Sequence, residues 1–292
     1  YMVHSQVDPG WSQKNHSPIF RKTFQVKKDV KSAMVSVSGL GFYELRLNGD
    51  KVGDRVLDPA FTRYDKRVLY VTYDVTDQIE TGANALGVML GNGWYNVHAR
   101  AAWDFDRAPW RGEPKLLLQL RMEYADGSIE KLCSDSSWQA STGPVVFDGV
   151  RNGEVYDARL EKTGWDRADY DSTGWAAAEL VDAPKGKLCA QIAPPVKITK
   201  TLKPVNIMEP APDVYVFDLG QNIAGWARLS VSGPAGDKIK LRYSERINPD
   251  GSINRDDIDS LVYSGPFQTD TYILQGQGTE VWQPRFSYHG FQ

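Results

Sequence analysis

Two stretches of the chain concentrate side chains able to do chemistry. Asn92-Gly93-Trp94-Tyr95-Asn96, followed by His98, Trp103, Asp104 and Trp110, sets flat rings beside amides and a carboxylate. That mixture suits a sugar, because rings stack on its apolar face while polar groups read its hydroxyls. The competing reading is a long inter-strand loop folded over the edge of a sheet. The second stretch, Gly153-Glu154-Val155-Tyr156-Asp157-Ala158-Arg159, holds two acids and a guanidinium within six residues. On a strand, Asp157 and Arg159 share one face and Glu154 and Tyr156 the other. Glycan contact is one use of this set. An Asp–Arg tie that fixes a loop through charge-assisted hydrogen bonds is the other. Asp218, Gln221, Asn222 and Trp226 form a further polar-aromatic set, which its flanking glycines mark as a hydrogen-bonded turn. His4, His16, His98 and His289 lie far apart without metal-ligand spacing. No P-loop, dinucleotide fingerprint or nucleophile elbow is present.

The elements that must carry these residues read as strands. Lys31 to Val37 and Phe42 to Leu47 are β segments, and Asn48-Gly49 after them is the dipeptide preferred in two-residue hairpins. Val68 to Tyr73 alternates as a half-buried strand does. Leu116 to Tyr124 and Ser128 to Leu132 flank Ala125-Asp126-Gly127, a second hairpin signature, and Asp77 to Thr81 reads as a single turn. Proline and glycine punctuate residues 182–196, and Trp138, Trp165 and Trp175 just before them read as plugs for the end of a sandwich. Beyond that boundary, Val196 to Leu202, Val214 to Leu219, Trp226 to Val231, Lys238 to Tyr243 and Thr271 to Leu274 read as strands. A strand around Arg285 to Tyr288 is also expected. Many short strands without helices predict an all-β protein of two consecutive antiparallel, jelly-roll-like β-sandwiches. The expected division is an N-terminal arm at 1–17, a first sandwich at 18–185 and a second at 190–292.

Composition narrows the function classes. A net charge of −3 argues against a nucleic-acid partner. No apolar run approaches bilayer length, so no membrane partner is expected. Aromatic residues make up 11% of the chain, with nine Trp and fourteen Tyr, which leaves both sandwich packing and sugar stacking open. Cys133 and Cys189 make neither a disulfide framework nor a zinc motif. The chain opens at Tyr1-Met2 without a leader, as a processed or excised chain would.

At another set of residues the sequence resembles a known family. Leu47-Asn48-Gly49, Asp58-Pro59-Ala60-Phe61-Thr62-Arg63-Tyr64-Asp65-Lys66-Arg67-Val68-Leu69-Tyr70, Tyr73-Asp74-Val75-Thr76, Gly91-Asn92-Gly93-Trp94-Tyr95 and the Gly153–Arg159 run are similar to the N-terminal β-sandwich of bacterial α-L-rhamnosidases, glycoside hydrolase family 78. Phe217-Asp218-Leu219-Gly220-Gln221-Asn222-Ile223-Ala224-Gly225-Trp226 and Tyr288-His289-Gly290-Phe291 resemble the concanavalin-like domain of those enzymes. The resemblance runs from about Phe20 to the end, in the family's order.

It implies a non-catalytic, carbohydrate-binding portion of an inverting glycosidase whose two carboxyls sit in a later (α/α)6 barrel, with no counterpart here. The implied partners are a rhamnose-containing glycan and that barrel, in a periplasmic or secreted bacterial protein. The carbohydrate-binding candidates are Asn92, Trp94, Tyr95, Trp103, Asp104, Trp110, Glu154, Asp157 and Arg159. No cofactor is required. Some family members bind rhamnose with calcium, which would place Asp65 as a ligand, although Lys66 beside it supplies a cation where calcium wants an oxygen. An edge left at residues 282–292 would favour weak dimerisation. The alternative is a free-standing lectin-like or adhesion sandwich.

Overall fold

The structure, a computed structural model, describes residues 2–4 and 16–292. Of the expected N-terminal arm, residues 1 and 5–15 lie outside the described residues. Among those described there is no α-helix, only strands and four short 3-10 turns, and none of the turns could cross a membrane.

Two sheets build the first core. One runs Glu179–Val181, Met2–His4, Lys115–Tyr124, Val30–Leu40, Arg67–Asp74 and Lys187–Ala190, with Ile129–Cys133 also paired to Lys115–Tyr124. The other runs Ala176–Ala177, Gln139–Thr142, Pro18–Val26, Gly82–Gly91, Phe42–Leu47 and Asp50–Lys51. Alternation along Val30–Leu40 and Lys115–Tyr124 sends Val35, Val37, Leu118 and Leu120 inward to meet Phe20, Leu45, Leu86 and Val88 of the facing sheet. Trp138 is fully buried in this core, and its indole donates to the Cys133 carbonyl at 2.9 Å. Trp165 and Trp175 pack instead against a second core around Met89, Tyr156, Tyr272 and Phe286. The Asn48-Gly49 hairpin forms as expected, with both residues at positive φ. The Asn48 amide braces it by donating to Asn84 and accepting from the Ala85 N–H, each at 2.8 Å.

A four-stranded sheet then joins segments from either side of residue 190. Val145–Gly149 pairs with Gly153–Asp157, which lies parallel to Thr269–Ile273, which pairs in turn with Lys238–Arg242. Lys187–Ala190 is likewise parallel to Arg67–Asp74, so the sheets are antiparallel with two parallel exceptions. The first parallel joint is tight enough to require glycine. At Gly153, with φ +115°, a Cβ would meet the Thr269 carbonyl oxygen at 2.1 Å.

Three expected strands differ. Val196 to Leu202 forms none: its backbone contacts include a bridge between Arg55 and Lys197 and a bond from the Val56 N–H to the Val196 carbonyl. Pro194, Pro195 and Pro204 around it supply no ladder donors. At the end of the chain, the Arg285 and Phe286 N–H groups both donate to the Glu154 carboxylate, at 2.9 and 3.0 Å. Those donors are unavailable to a sheet, so the strand starts later, at His289–Phe291, antiparallel to Ile223–Gly225. Similarly, the strand expected from Trp226 begins at Leu229.

Around that joint lies a buried polar network. The Asp270 carboxylate accepts from the Glu154 N–H at 2.8 Å, Ser287 Oγ at 3.1 Å and the Tyr243 hydroxyl at 2.7 Å, with His289 Nε2 3.1 Å away. Asp148 accepts from the Asn92 N–H at 2.7 Å and Ser17 Oγ at 3.0 Å. Complete burial pushes the Asp148 carboxyl up to about 7 and Glu154 up to about 8, against the hydrogen bonds and the Arg285 charge that favour ionisation.

Both groups hold a proton more tightly folded than unfolded, so their contribution is complete below the ordinary carboxylate range and is lost as pH rises through 7 and 8. Asp126, held well below the usual carboxylate range chiefly by its hydrogen bond with Lys28, acts only at far lower pH. The melting temperature is therefore expected to fall between pH 5.5 and 8.5, and Glu154→Gln should flatten that slope. A scanning-fluorimetry series showing wild-type stability flat or rising across this window would refute the assignment.

Candidate functional site

The loop from Gly91 to Pro114 leaves the Gly82–Gly91 strand and covers one end of the first sandwich, and its residues separate into anchors and surface. Asn92 is an anchor: its amide donates to the Asp148 carbonyl at 3.0 Å and accepts from the Asn96 amide at 2.7 Å. Tyr95 is buried edge-on against Tyr64, with ring centroids 5.0 Å apart. Asp104 sits at positive φ at the entry to the 3-10 turn Phe105–Arg107, where its backbone turns the loop.

Above these anchors lies a cluster of rings. Phe61 contacts Trp94 at 5.6 Å, Phe105 at 5.8 Å and Trp110 at 6.3 Å, and Trp94 contacts Phe105 at 5.2 Å. Phe61 and Trp103 remain 43% and 42% exposed. The Trp110 indole nitrogen is buried and has no hydrogen-bond partner among the described residues. The Arg151 guanidinium lies 3.5 Å from the Trp103 ring centroid and 5.5 Å from that of Trp94. Together, Trp94, Trp103, Phe61 and Arg151 offer stacking faces with a cation beside them.

The second stretch is built differently. Glu154 is 0% exposed and faces the joint between sheets, out of reach of a ligand at the surface. Asp157 caps the turn Ala158–Leu160 and grips Arg159 through two side-chain bonds of 2.9 and 2.7 Å. That is the loop-tying arrangement; the structure does not bring this trio to the aromatic cluster. Asp218 behaves likewise, accepting from the Gly220 N–H within a turn.

Sequence reasoning missed Phe61, Phe105 and Arg151 as members of the cluster. Phe61 lies 33 residues before Trp94, and nothing local announces their contact. Arg151 was closer to view, since it sits in the turn leading to Gly153-Glu154.

A calcium ion does not fit the residues around Asp65. Its carboxylate is gripped by Arg63 through two bonds of 2.9 and 3.1 Å, which holds it below the usual carboxylate range. Lys66 adds a second cation, and no group of three or more His, Cys, Asp or Glu among the described residues could surround a metal. Accordingly, millimolar calcium or EDTA should leave the melting temperature unchanged. A stabilisation of several degrees that saturates with calcium would show a site that this donor set does not explain.

With this geometry in hand, the chain compares closely with characterised proteins. Residues 28–200 match the family description "Alpha-L-rhamnosidase N-terminal domain", and residues 208–292 match "Bacterial alpha-L-rhamnosidase concanavalin-like domain". An α-L-rhamnosidase of Formosa agariphila is 39% identical over 275 residues, covering 94% of this chain and 29% of that protein. The structure of an α-L-rhamnosidase from Dictyoglumus thermophilum superposes with a TM-score of 0.89 at 40% identity, over 100% of this chain and 33% of its own. A Streptomyces avermitilis α-L-rhamnosidase solved with L-rhamnose gives a TM-score of 0.88 at 41% identity, over 94% of this chain and 26% of its own. The chain thus spans about a quarter to a third of the length of these relatives.

Proposed function

The chain belongs to the bacterial α-L-rhamnosidase family, and from that premise we propose that its two sandwiches are the non-catalytic, glycan-facing portion of a rhamnosidase. The observation that carries this reading is the half-exposed Trp103, stacked on Arg151 beside Trp94, Phe61 and Trp110 in a chain of this family. An exposed indole held by neighbours presents a preformed stacking face, and its rigidity lowers the entropy lost on binding. The ligand proposed is a rhamnose-containing glycan, held near a catalytic domain of the same polypeptide.

Hydrolysis is assigned elsewhere for a chemical reason. An inverting pair needs two carboxyls facing one sugar at roughly 6.5–9.5 Å, one of them free to activate water. Here Glu154, Asp148, Asp157 and Asp270 are each committed to structural hydrogen bonds. The 292-residue chain should not release rhamnose from an aryl α-L-rhamnoside above the buffer rate. Turnover that survives repurification and disappears with Glu154→Gln would overturn this assignment.

Binding has its own test. L-Rhamnose at millimolar concentration should change tryptophan fluorescence, and Trp103→Ala should abolish the response while lowering the melting temperature by only a few degrees. Tyr95→Ala serves as the contrast: removing a buried ring costs about 3–5 kcal/mol, so that variant should be strongly destabilised. A rhamnose response that persists in Trp103→Ala, or its absence in the wild type, would refute the platform.

A further inference from the structure

Arg151 is distinctive among the buried and half-buried arginines. Arg46 pairs with Asp166, Arg255 with Asp259, and Arg21 donates to the Trp165 and Arg167 carbonyls. Arg151 has the two indoles as neighbours, and its Nε is buried without a hydrogen-bond partner among the described residues. The acids around it do not answer its charge. Asp148, which lines the same small recess with Trp94, His98 and Asn152, is filled by Asn92 and Ser17. Asp106, on the Trp103 loop, has a buried carboxylate oxygen without a partner of its own. Burial, with the neighbouring Arg111 charge, pulls His98 down to about 4, so its ring is neutral at physiological pH and the cation of the recess is Arg151.

We propose that Arg151, stacked on Trp103, anchors a subsite for an anionic sugar. The proposal rests on the glycan-facing reading above and adds the charge of the residue recognised. Its physics is that of a guanidinium on an indole. The stacked face is satisfied by the ring, while the N–H groups lie in the guanidinium plane and form a fork that matches a carboxylate or sulfate. Val97, Ala99, Phe147 and Val150 line the small recess beside Arg151, so a contact at its guanidinium is made next to apolar surface. Trp103, 42% exposed, offers its ring beside the guanidinium at the surface. A sugar that places its ring on Trp103 and its anionic group on Arg151 uses both.

Calorimetric titration of the 292-residue chain with methyl β-D-glucuronide, glucose 6-sulfate and neutral methyl β-D-glucoside tests this, with L-rhamnose alongside. At least one anionic sugar should bind about tenfold more tightly than the glucoside, the scale of one charge-assisted contact. Whichever of the two does so identifies a carboxylate or a sulfate as the group recognised. Raising sodium chloride from 20 to 500 mM should weaken that binding and leave rhamnose unaffected. Arg151→Gln should erase the preference, and Arg151→Lys, which keeps the charge without the fork, should retain part of it. Equal binding of all three sugars, or a preference that survives Arg151→Gln, overturns the proposal. The rhamnose titration is read separately: anionic preference without a rhamnose response would leave this subsite standing and sink the rhamnose reading.

Discussion

Most of the architecture depends on two carboxylates with no access to water. Glu154 receives the backbone donors of Arg285 and Phe286, and Asp270 receives the Glu154 N–H together with Ser287 and Tyr243. A buried acid is costly unless its lone pairs are filled. Here the filling donors come from segments more than a hundred residues apart in the chain, so satisfying the acids and joining the sandwiches are one event. The arrangement is incomplete in one place: Glu154 Oε1 is buried without a partner among the described residues. That deficit, added to full burial, is the physical reason why its proton is held so firmly.

The strand pattern was legible wherever its cause was local. Phe42–Leu47 appears at the expected bounds because alternation and the Asn48-Gly49 turn both act within a few residues. Lys115–Tyr124 and Ile129–Cys133 follow from the Asp126-Gly127 turn in the same way. At the end of the chain the expectation failed because a distant side chain intervened. Arg285 to Tyr288 has the residues of a strand, yet Glu154 takes two of its backbone donors. The Gly153–Asp157 and Thr269–Ile273 pairing is parallel and spans 116 residues between Val155 and Thr271, a contact that no periodicity announces.

The candidate site divides along the same line. Sequence spacing picked out Trp94, Trp103 and Trp110 because they share one loop; Trp94 and Trp110 both meet Phe61, and Trp103 joins them through Arg151. It could not separate them from Asn92 and Tyr95, which the fold uses as anchors, since exposure depends on what packs beneath. Glu154, Asp157 and Arg159 drew notice for their chemistry, but burial and mutual pairing turn that chemistry inward. Phe61 and Arg151, which complete the cluster, arrive from other loops, far from Trp94 in sequence.

These observations connect the seam to the surface. Arg151 lies in the turn between Val145–Gly149 and Gly153–Asp157, so its position is set by the strand that Glu154 and Gly153 lock to Thr269–Ile273. The loop bearing Trp103 is tied to the same neighbourhood by the bridge between Ala101 and Val262 and by the bond from the Ala102 N–H to the Leu261 carbonyl. The guanidinium and the indole thus come from different loops, and each is fixed against the segment from residue 258 to 273. Their 3.5 Å stacking is a consequence of the joint between sandwiches. A platform built in this way needs both halves of the chain, which gives a physical reason for the two sandwiches to travel together: separating them would leave the rings but scatter the geometry that makes them a site.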